Sequence, residues 1–119
     1  MQKKNNIITL CGSTKFKKAF FEVQKELTLK GNIVLSLGLF AKSGDEDIFA
    51  NMDAETFKKT KEMLADMHKR RIDLSDEIFV INVGGYIGNS TKEEIEYAKK
   101  TNKKITYLEP VKDKEIKKI

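Results

Sequence analysis

The sequence contains one cysteine, one proline and no tryptophan, and it has no long apolar run. A single cysteine, Cys11, excludes an internal disulfide and is typical of proteins of the reducing cytoplasm. No stretch approaches the roughly 20 apolar residues that span a bilayer. The first residues also lack the apolar region and cleavage site of a secretory signal. We therefore expect a cytoplasmic protein without a membrane partner.

The positive charges lack the pattern of a nucleic-acid-binding surface. The chain carries 23 Lys and Arg against 18 Asp and Glu, a net charge of +5. The lysines are spread over several predicted helices, and no aromatic residues alternate with them as a base-stacking platform requires. Nucleic acid is therefore not an expected partner, whereas a basic background would attract a small phosphorylated ligand.

Short apolar runs and helical periodicity alternate along the chain. The runs predict strands at 7–11, 33–37, 77–83 and 105–108, and the periodic segments predict helices at 16–30, 55–74 and 90–101. The charged tail, 112–119, is predicted to fray or to form a short helix. Strands alternating with helices favour a three-layer α/β fold of the flavodoxin or Rossmann type, with about four parallel strands and helices on both faces. The length of the chain, 119 residues, fits a single domain that spans 1–119. Ligands of such folds bind beyond the carboxyl ends of the strands.

The turn after the first strand has the composition of an anion site: Cys11, Gly12, Ser13, Thr14 and Lys15. Glycine allows close backbone approach, the hydroxyls donate hydrogen bonds, the next helix presents free N–H groups, and Lys15 adds positive charge. The glycine spacing is neither that of a Walker loop nor that of the dinucleotide fingerprint. The alternative is that Ser13 or Thr14 only caps a helix.

The turn after the third strand is rich in glycine and hydroxyl residues, and its candidate ligand-binding residues are Gly85, Gly88, Asn89, Ser90 and Thr91. The alternative is a capping box that pairs Ser90 with Glu93 or Thr91 with Glu94. If the two turns lie side by side, they form a pocket suited to phosphate or a sugar phosphate.

The segment 38–54 is long for a strand-to-helix connection and could act as a substrate lid. Its acidic run, 45–47, could bind a metal, although contiguous acids usually face water. We expect no metal and no organic cofactor. Phe40, Phe49 and Tyr86 could each stack on a base or simply pack in the protein.

The order of three motifs resembles that of a known superfamily. A strand ends in Cys11-Gly12-Ser13, a helix ends just before Ser75-Asp76-Glu77 and an apolar strand, and a glycine turn leads to Glu94-Ile95-x-x-Ala98. From Ile7 to Leu108 the chain is similar to the nucleoside 2-deoxyribosyltransferase superfamily, which includes the 2′-deoxynucleoside 5′-phosphate N-hydrolases. The resemblance implies a small α/β domain, commonly a homodimer, that cleaves the bond between a base and deoxyribose.

The resemblance also implies roles for individual residues. Glu94 takes the place of the nucleophile that attacks the anomeric carbon, after which water or a second base takes the sugar. Ser13 and Lys15 take the place of phosphate-binding residues, and Gly88, Asn89 and Ser90 fall in the turn that binds sugar or phosphate. The residues themselves place Glu94 in the first turn of a helix, whose N-terminus favours the ionised carboxylate; the alternative is a capping carboxylate.

Two positions depart from the superfamily. Thr9 stands where a tyrosine is common, and His68 stands where an aspartate is usual. His68 shares a helix face with Leu64 and Ile72 and is therefore predicted to point inward. It could be the catalytic acid/base, a core histidine, or a partner that activates Cys11 as a thiolate nucleophile.

The sequence therefore predicts an enzyme that hydrolyses the N-glycosidic bond of a nucleoside 5′-monophosphate or related nucleotide, or transfers its deoxyribosyl group. One alternative is a non-catalytic nucleotide-binding or sensing module, which the changes at Thr9 and His68 support. The other is a phosphoribohydrolase of the cytokinin-activating type, although Gly84-Gly85 lacks the preceding proline usual in those enzymes.

Overall fold

A computed structural model describes residues 5–111 and contains a four-stranded, entirely parallel sheet. The strands are β1 (Ile7–Gly12), β2 (Ile33–Leu35), β3 (Glu77–Ile81) and β4 (Lys104–Tyr107), in the spatial order β2-β1-β3-β4. The predicted α/β fold class, with about four parallel strands, is confirmed. The tail, 112–119, lies outside the described residues.

Three α-helices cover the two faces of the sheet: α1 (Lys17–Leu29), α2 (Ala54–Leu74) and α3 (Asn89–Lys100). Side chains alternate between the faces along a strand. Leu10 of β1 packs with Phe20 of α1 in one core cluster, whereas Cys11 packs in the other with Ile72 of α2 and Ile95 of α3. β1 therefore contributes side chains to both cores, one on each face of the sheet, in a three-layer structure.

Two strands are shorter than the sequence predicts. β2 ends at Leu35 rather than at residue 37, because Leu37 and Phe40 pack into the core cluster beneath α1. β3 ends at Ile81, and the chain turns immediately through a 3-10 helix at Val83–Gly85. Two further 3-10 helices, Thr14–Phe16 and Glu46–Phe49, lie in segments predicted as a turn and a loop.

The strand order creates a crevice above β1 and β3. β1 continues through α1 to β2 on one side, and β3 continues through α3 to β4 on the other, so the connections diverge. Such a switch point is where open α/β sheets bind ligands. Gly12 lies at the end of β1, where a Cβ would stand 2.8 Å from the carbonyl oxygen of Ile81. Only glycine therefore allows the two strands to meet at this point.

Within residues 5–111, no helix has both the length and the apolar character that crossing a membrane requires.

Candidate functional site

A cavity of about 630 Å³ opens at the crevice between β1 and β3. This volume is in the range of small-molecule sites. Both predicted turns contribute to its wall, together with side chains of α2 and α3. The predicted site residues that line it are Gly12, Ser13, Thr14, His68, Gly88, Asn89, Ser90, Thr91 and Glu94. The structure therefore brings nine of the predicted residues around one space.

Three predicted residues do not line the cavity. The ammonium of Lys15 lies 3.8 Å from the ring centroid of Tyr86, and Lys15 borders a separate depression on the surface. Gly85 has a φ of 84°, a left-handed conformation that favours glycine, and its N–H donates to the Asn82 carbonyl, so its visible role is to shape the turn. Cys11 is fully buried in β1.

The helix-capping alternatives have different outcomes in the two turns. The N-cap of α3 is Gly88, and no side chain caps it, so both capping boxes are wrong. Ser90 and Thr91 lie inside the first turn, which leaves their hydroxyls without the predicted capping role. In the turn after β1, Ser13 does cap the 3-10 helix at Thr14–Phe16, because its Oγ accepts from the Lys15 N–H over 3.2 Å.

Glu94 lies five residues after the start of α3 and therefore in its second turn. The helix dipole acts mainly on the first turn, so the expectation that it keeps Glu94 ionised needs correction. Burial instead raises the pKa of Glu94 to about 7; the neighbouring Glu93 also raises it, while the nearby Cys11 thiol and the charge of Lys69 oppose the rise. At neutral pH, the carboxyl group is therefore present in both protonation states.

The hydrogen bonds of His68 fix its protonation. Its Nδ1 lies 3.1 Å from Nη1 of Arg71, and its Nε2 lies 3.0 Å from the Leu10 carbonyl oxygen. Guanidinium groups only donate, so Nδ1 must accept and Nε2 must carry the proton that it donates to Leu10. Burial, reinforced by the charge of Arg71, lowers the pKa of His68 to about 4. A neutral imidazole with both nitrogens engaged favours the core histidine over the catalytic acid.

Cys11 does not have the surroundings of a nucleophilic thiolate. Its Sγ lies 3.6 Å from Nε2 of His68, but that nitrogen carries a proton and cannot accept one from the thiol. Burial raises the pKa of the Cys11 thiol well above its ordinary value, and the negative charge of Glu94 raises it further. Thiolate nucleophiles need a lowered pKa, so the hypothesis of a Cys11–His68 nucleophilic pair is not supported.

Cys11, His68 and Glu94 also form a possible metal-ligand set, since their ligand atoms all lie within 4.8 Å of one another. Thiolate, imidazole and carboxylate are zinc ligands. A metal on Nε2 of His68 would force the ring proton onto Nδ1, where it would face the Arg71 donor. The hydrogen-bond pattern around the cluster therefore does not suit a metal ion.

The acidic run of the long connection stabilises the connection itself. Asp45 accepts from the Phe40 N–H over 2.7 Å, and Glu46 accepts from the Gly44 N–H. The connection is also tied to the first turn, because Ser43 Oγ donates to the Thr14 carbonyl and the Lys42 N–H donates to Thr14 Oγ1. It contributes one wall of the cavity.

The cavity is also lined by three basic side chains that the sequence did not indicate: Lys42, Lys61 and Arg71. Among the ion pairs of residues 5–111, none involves these three cations. Lys61, His68 and Arg71 share one face of α2 at helical spacing, which is a signal the sequence contains. Lys42 belongs to an irregular segment, and its position could not be read from any periodicity.

The apolar part of the lining comes mainly from α2 and the long connection: Leu37, Leu39, Phe49, Met63, Leu64, Met67 and Tyr86. Phe49 and Tyr86 are therefore available for contact with a base. Phe40 is not, because it is buried against Phe20 with ring centroids 5.2 Å apart. Thr9, at the position of the superfamily tyrosine, is also buried, and its hydroxyl donates to the Arg71 carbonyl.

The sequence matches no known family profile and no curated protein. The functional assignment therefore rests on the geometry and chemistry of this cavity.

Proposed function

We propose that this protein cleaves the N-glycosidic bond of a nucleoside 5′-monophosphate or related nucleotide, with Glu94 as nucleophile, and that it belongs to the nucleoside 2-deoxyribosyltransferase superfamily. The observation that carries the proposal is a desolvated carboxyl group, with a pKa of about 7, that faces a cavity lined by hydroxyls and cations. Perturbed carboxyl groups in clefts are typical of catalytic sites.

The lining supports the binding of a nucleotide in one orientation. Ser13, Asn89 and Ser90 offer hydrogen-bond donors beside the N-terminus of α3, whose free N–H groups favour an anion. The apolar side chains of Met63 and Met67 suit a planar base. A phosphate at the first group and a base at the second would place the sugar between them, near Glu94.

The chemistry follows from a carboxylate beside an anomeric carbon. The ionised Glu94 attacks this carbon, the bond to the base breaks, and a covalent glycosyl-enzyme forms through an oxocarbenium-like transition state. Water then releases the sugar phosphate and restores the carboxyl group, or a second base accepts the sugar. Because the N–H proton of His68 is donated to the Leu10 carbonyl, the departing base takes its proton from solvent in this scheme. The scheme uses neither a metal nor an organic cofactor.

A non-catalytic nucleotide-binding or sensing module is the second candidate. It is favoured by the same hydrogen bonds of His68, which leave the site without a free acid at the position where the superfamily has an aspartate. Such a module would bind the nucleotide in the same cavity and leave the glycosidic bond intact.

We further propose a cytoplasmic homodimer, as the resemblance implies. Phe57, Met63 and Met67 of α2 each expose 40% or more of their surface, and a second copy packed on α2 would cover them. Light scattering of the purified chain tests this: a dimer mass supports the proposal, and a monomer mass across the micromolar range rejects it.

The test of activity is to incubate the protein with 2′-deoxyribonucleoside and ribonucleoside 5′-monophosphates and to measure free base by chromatography. Glu94→Gln should abolish base release but retain nucleotide binding. Glu93→Gln is the matched control, because Glu93 is exposed on the same helix and does not line the cavity. Binding without base release by the wild type would support the sensing module, and neither binding nor release would reject both.

A further inference from the structure

Glu94 does not stand alone at the floor of the cavity. The Cys11 thiol of β1 and the His68 ring of α2 lie beside it, with ligand atoms within 4.8 Å of one another. Both neighbours are buried, at 0% and 3% exposure. Three separate elements of the fold thus bring a buried thiol, a buried imidazole and the half-buried carboxyl group of Glu94 together.

The direction of each hydrogen bond in this cluster can be traced from Arg71. Arg71 donates to Nδ1 of His68, and the proton on Nε2 is therefore donated to the Leu10 carbonyl. His68 consequently has no free lone pair for the Cys11 proton, although Sγ lies 3.6 Å from Nε2. Of the two groups beside the thiol, only the Glu94 carboxylate can accept its hydrogen bond.

We propose that Cys11 is a positioning residue for Glu94: its thiol donates to the carboxylate, and the Arg71–His68 pair holds the thiol proton on that side. The inference rests on the proposed function, because it gives the nucleophile a fixed orientation through a buried side chain of β1 that does not itself line the cavity. Thr9 cannot fill this role, since its hydroxyl is committed to the Arg71 carbonyl.

The donated hydrogen bond has a measurable electrostatic effect. A donor to the carboxylate stabilises its ionised form and lowers its pKa, so a thiol that lies within 4.8 Å of the Glu94 carboxyl group would oppose the effect of burial. The other charged groups that act on this carboxyl group are Glu93, on the same helix, and Lys69 of α2. His68 is neutral and adds no charge. Loss of the thiol donor should therefore raise the pKa of Glu94 further.

The test is a carboxyl ¹³C NMR titration of the free protein, with Glu94 assigned by its loss in Glu94→Gln. One net hydrogen bond corresponds to roughly half to one pKa unit. Cys11→Ala should raise the pKa of Glu94 by about that amount. Cys11→Ser, which keeps a donor of similar size, should restore a pKa near or below the wild-type value. A packing role alone would lower the melting temperature of both variants and leave this pKa unchanged.

The readout separates this inference from the proposed function, because it needs no substrate. An unchanged or lowered pKa of Glu94 in Cys11→Ala would overturn the positioning role, whatever the activity. A ¹⁵N spectrum that shows the His68 proton on Nδ1 would overturn it as well, because Nε2 could then accept the thiol proton. Base release that survives in Glu94→Gln would instead overturn the proposed nucleophile.

Discussion

Arg71 donates to Nδ1 of His68 over 3.1 Å, one helical turn away on the same face of α2. Because this contact makes Nδ1 an acceptor, it leaves the ring proton on Nε2 and directs it to the Leu10 carbonyl. The basic lone pair of the neutral ring is the one on Nδ1, so a further proton would have to displace the Arg71 donor. His68, which the sequence suggested as a general acid, therefore directs both of its ring nitrogens to protein groups and neither to the cavity.

We predict that base release does not require a proton on His68. His68→Gln can keep a donor toward Leu10 and an acceptor toward Arg71, and we expect its turnover to stay within about tenfold of the wild type, because general acid catalysis contributes roughly 100-fold or more. Steady-state kinetics on the nucleotide that releases base would measure this. A loss of 100-fold or more in a folded His68→Gln protein would restore His68 as the acid.

The activity should depend on pH through Glu94. Burial raises the pKa of this group to about 7, and the nucleophile is the ionised form. The rate should therefore increase as pH rises through about 7 and level off above it, with a slope of about tenfold per unit on the acidic side. A pH–rate profile from pH 5 to 9 provides the measurement.

Glu93→Gln supplies the control for this assignment. Glu93 is one of the groups that raise the pKa of Glu94, so removing its charge should move the acidic limb to lower pH with the plateau retained. If the acidic side of the pH–rate profile does not shift in Glu93→Gln, or if the rate falls between pH 6 and 8, a group other than Glu94 governs the pH dependence.

Ionisation of Glu94 should have the opposite effect on stability: it should lower the free energy of unfolding as pH rises. The folded pKa of Glu94 is raised from 4.5 to about 7, so the folded state binds the proton more tightly and loses stability as pH rises between these values. His68, with its pKa lowered from 6.5 to about 4, contributes stability that is gained as pH rises through that window. The two slopes oppose each other, so the wild type should vary little between pH 4.5 and 6.5.

Glu94→Gln removes one of the two slopes. Relative to the wild type, the variant should gain about 1.4 kcal/mol of unfolding free energy for each pH unit between about 5 and 6.5. Urea denaturation of the two proteins at several pH values measures this difference. A difference between Glu94→Gln and the wild type that does not change with pH would contradict the raised pKa.

The sequence was sufficient to predict the sheet, its helices and the two turns, because short apolar runs and helical periodicity report local burial. It also placed Glu94 and Ser13 at the same end of the sheet, since parallel strands share a carboxyl edge. It did not predict that Lys15 turns to the ring of Tyr86, that Phe40 enters the core beneath α1, or that Arg71 fixes the proton of His68. These depend on side-chain contacts between segments far apart in the chain, which no local pattern encodes.

The cations of the proposed phosphate site provide the last prediction, because the sequence and the structure favour different residues. The resemblance places Lys15 at the phosphate, whereas the cavity is lined by Lys42 and Lys61. Lys61 lies seven residues before His68 on α2, about 10 Å along the helix axis, and Lys42 enters from the opposite wall beside Thr14. Neither side chain has a carboxylate partner among residues 5–111, so each is available to pair with an anion in the cavity.

We predict that Lys42→Ala and Lys61→Ala each weaken nucleotide binding about two- to fivefold at low salt, the effect of one partly exposed charge pair. Lys15→Ala, which removes a cation stacked on Tyr86, should change the affinity by less than that. Calorimetric titration with a 2′-deoxynucleoside 5′-monophosphate, repeated with the nucleoside that lacks the phosphate, separates charge from base recognition. The losses should vanish for the nucleoside and shrink in high salt, because screening acts on the phosphate contact alone. A larger loss in Lys15→Ala than in either cavity variant would return the phosphate to the position that the sequence resemblance implies.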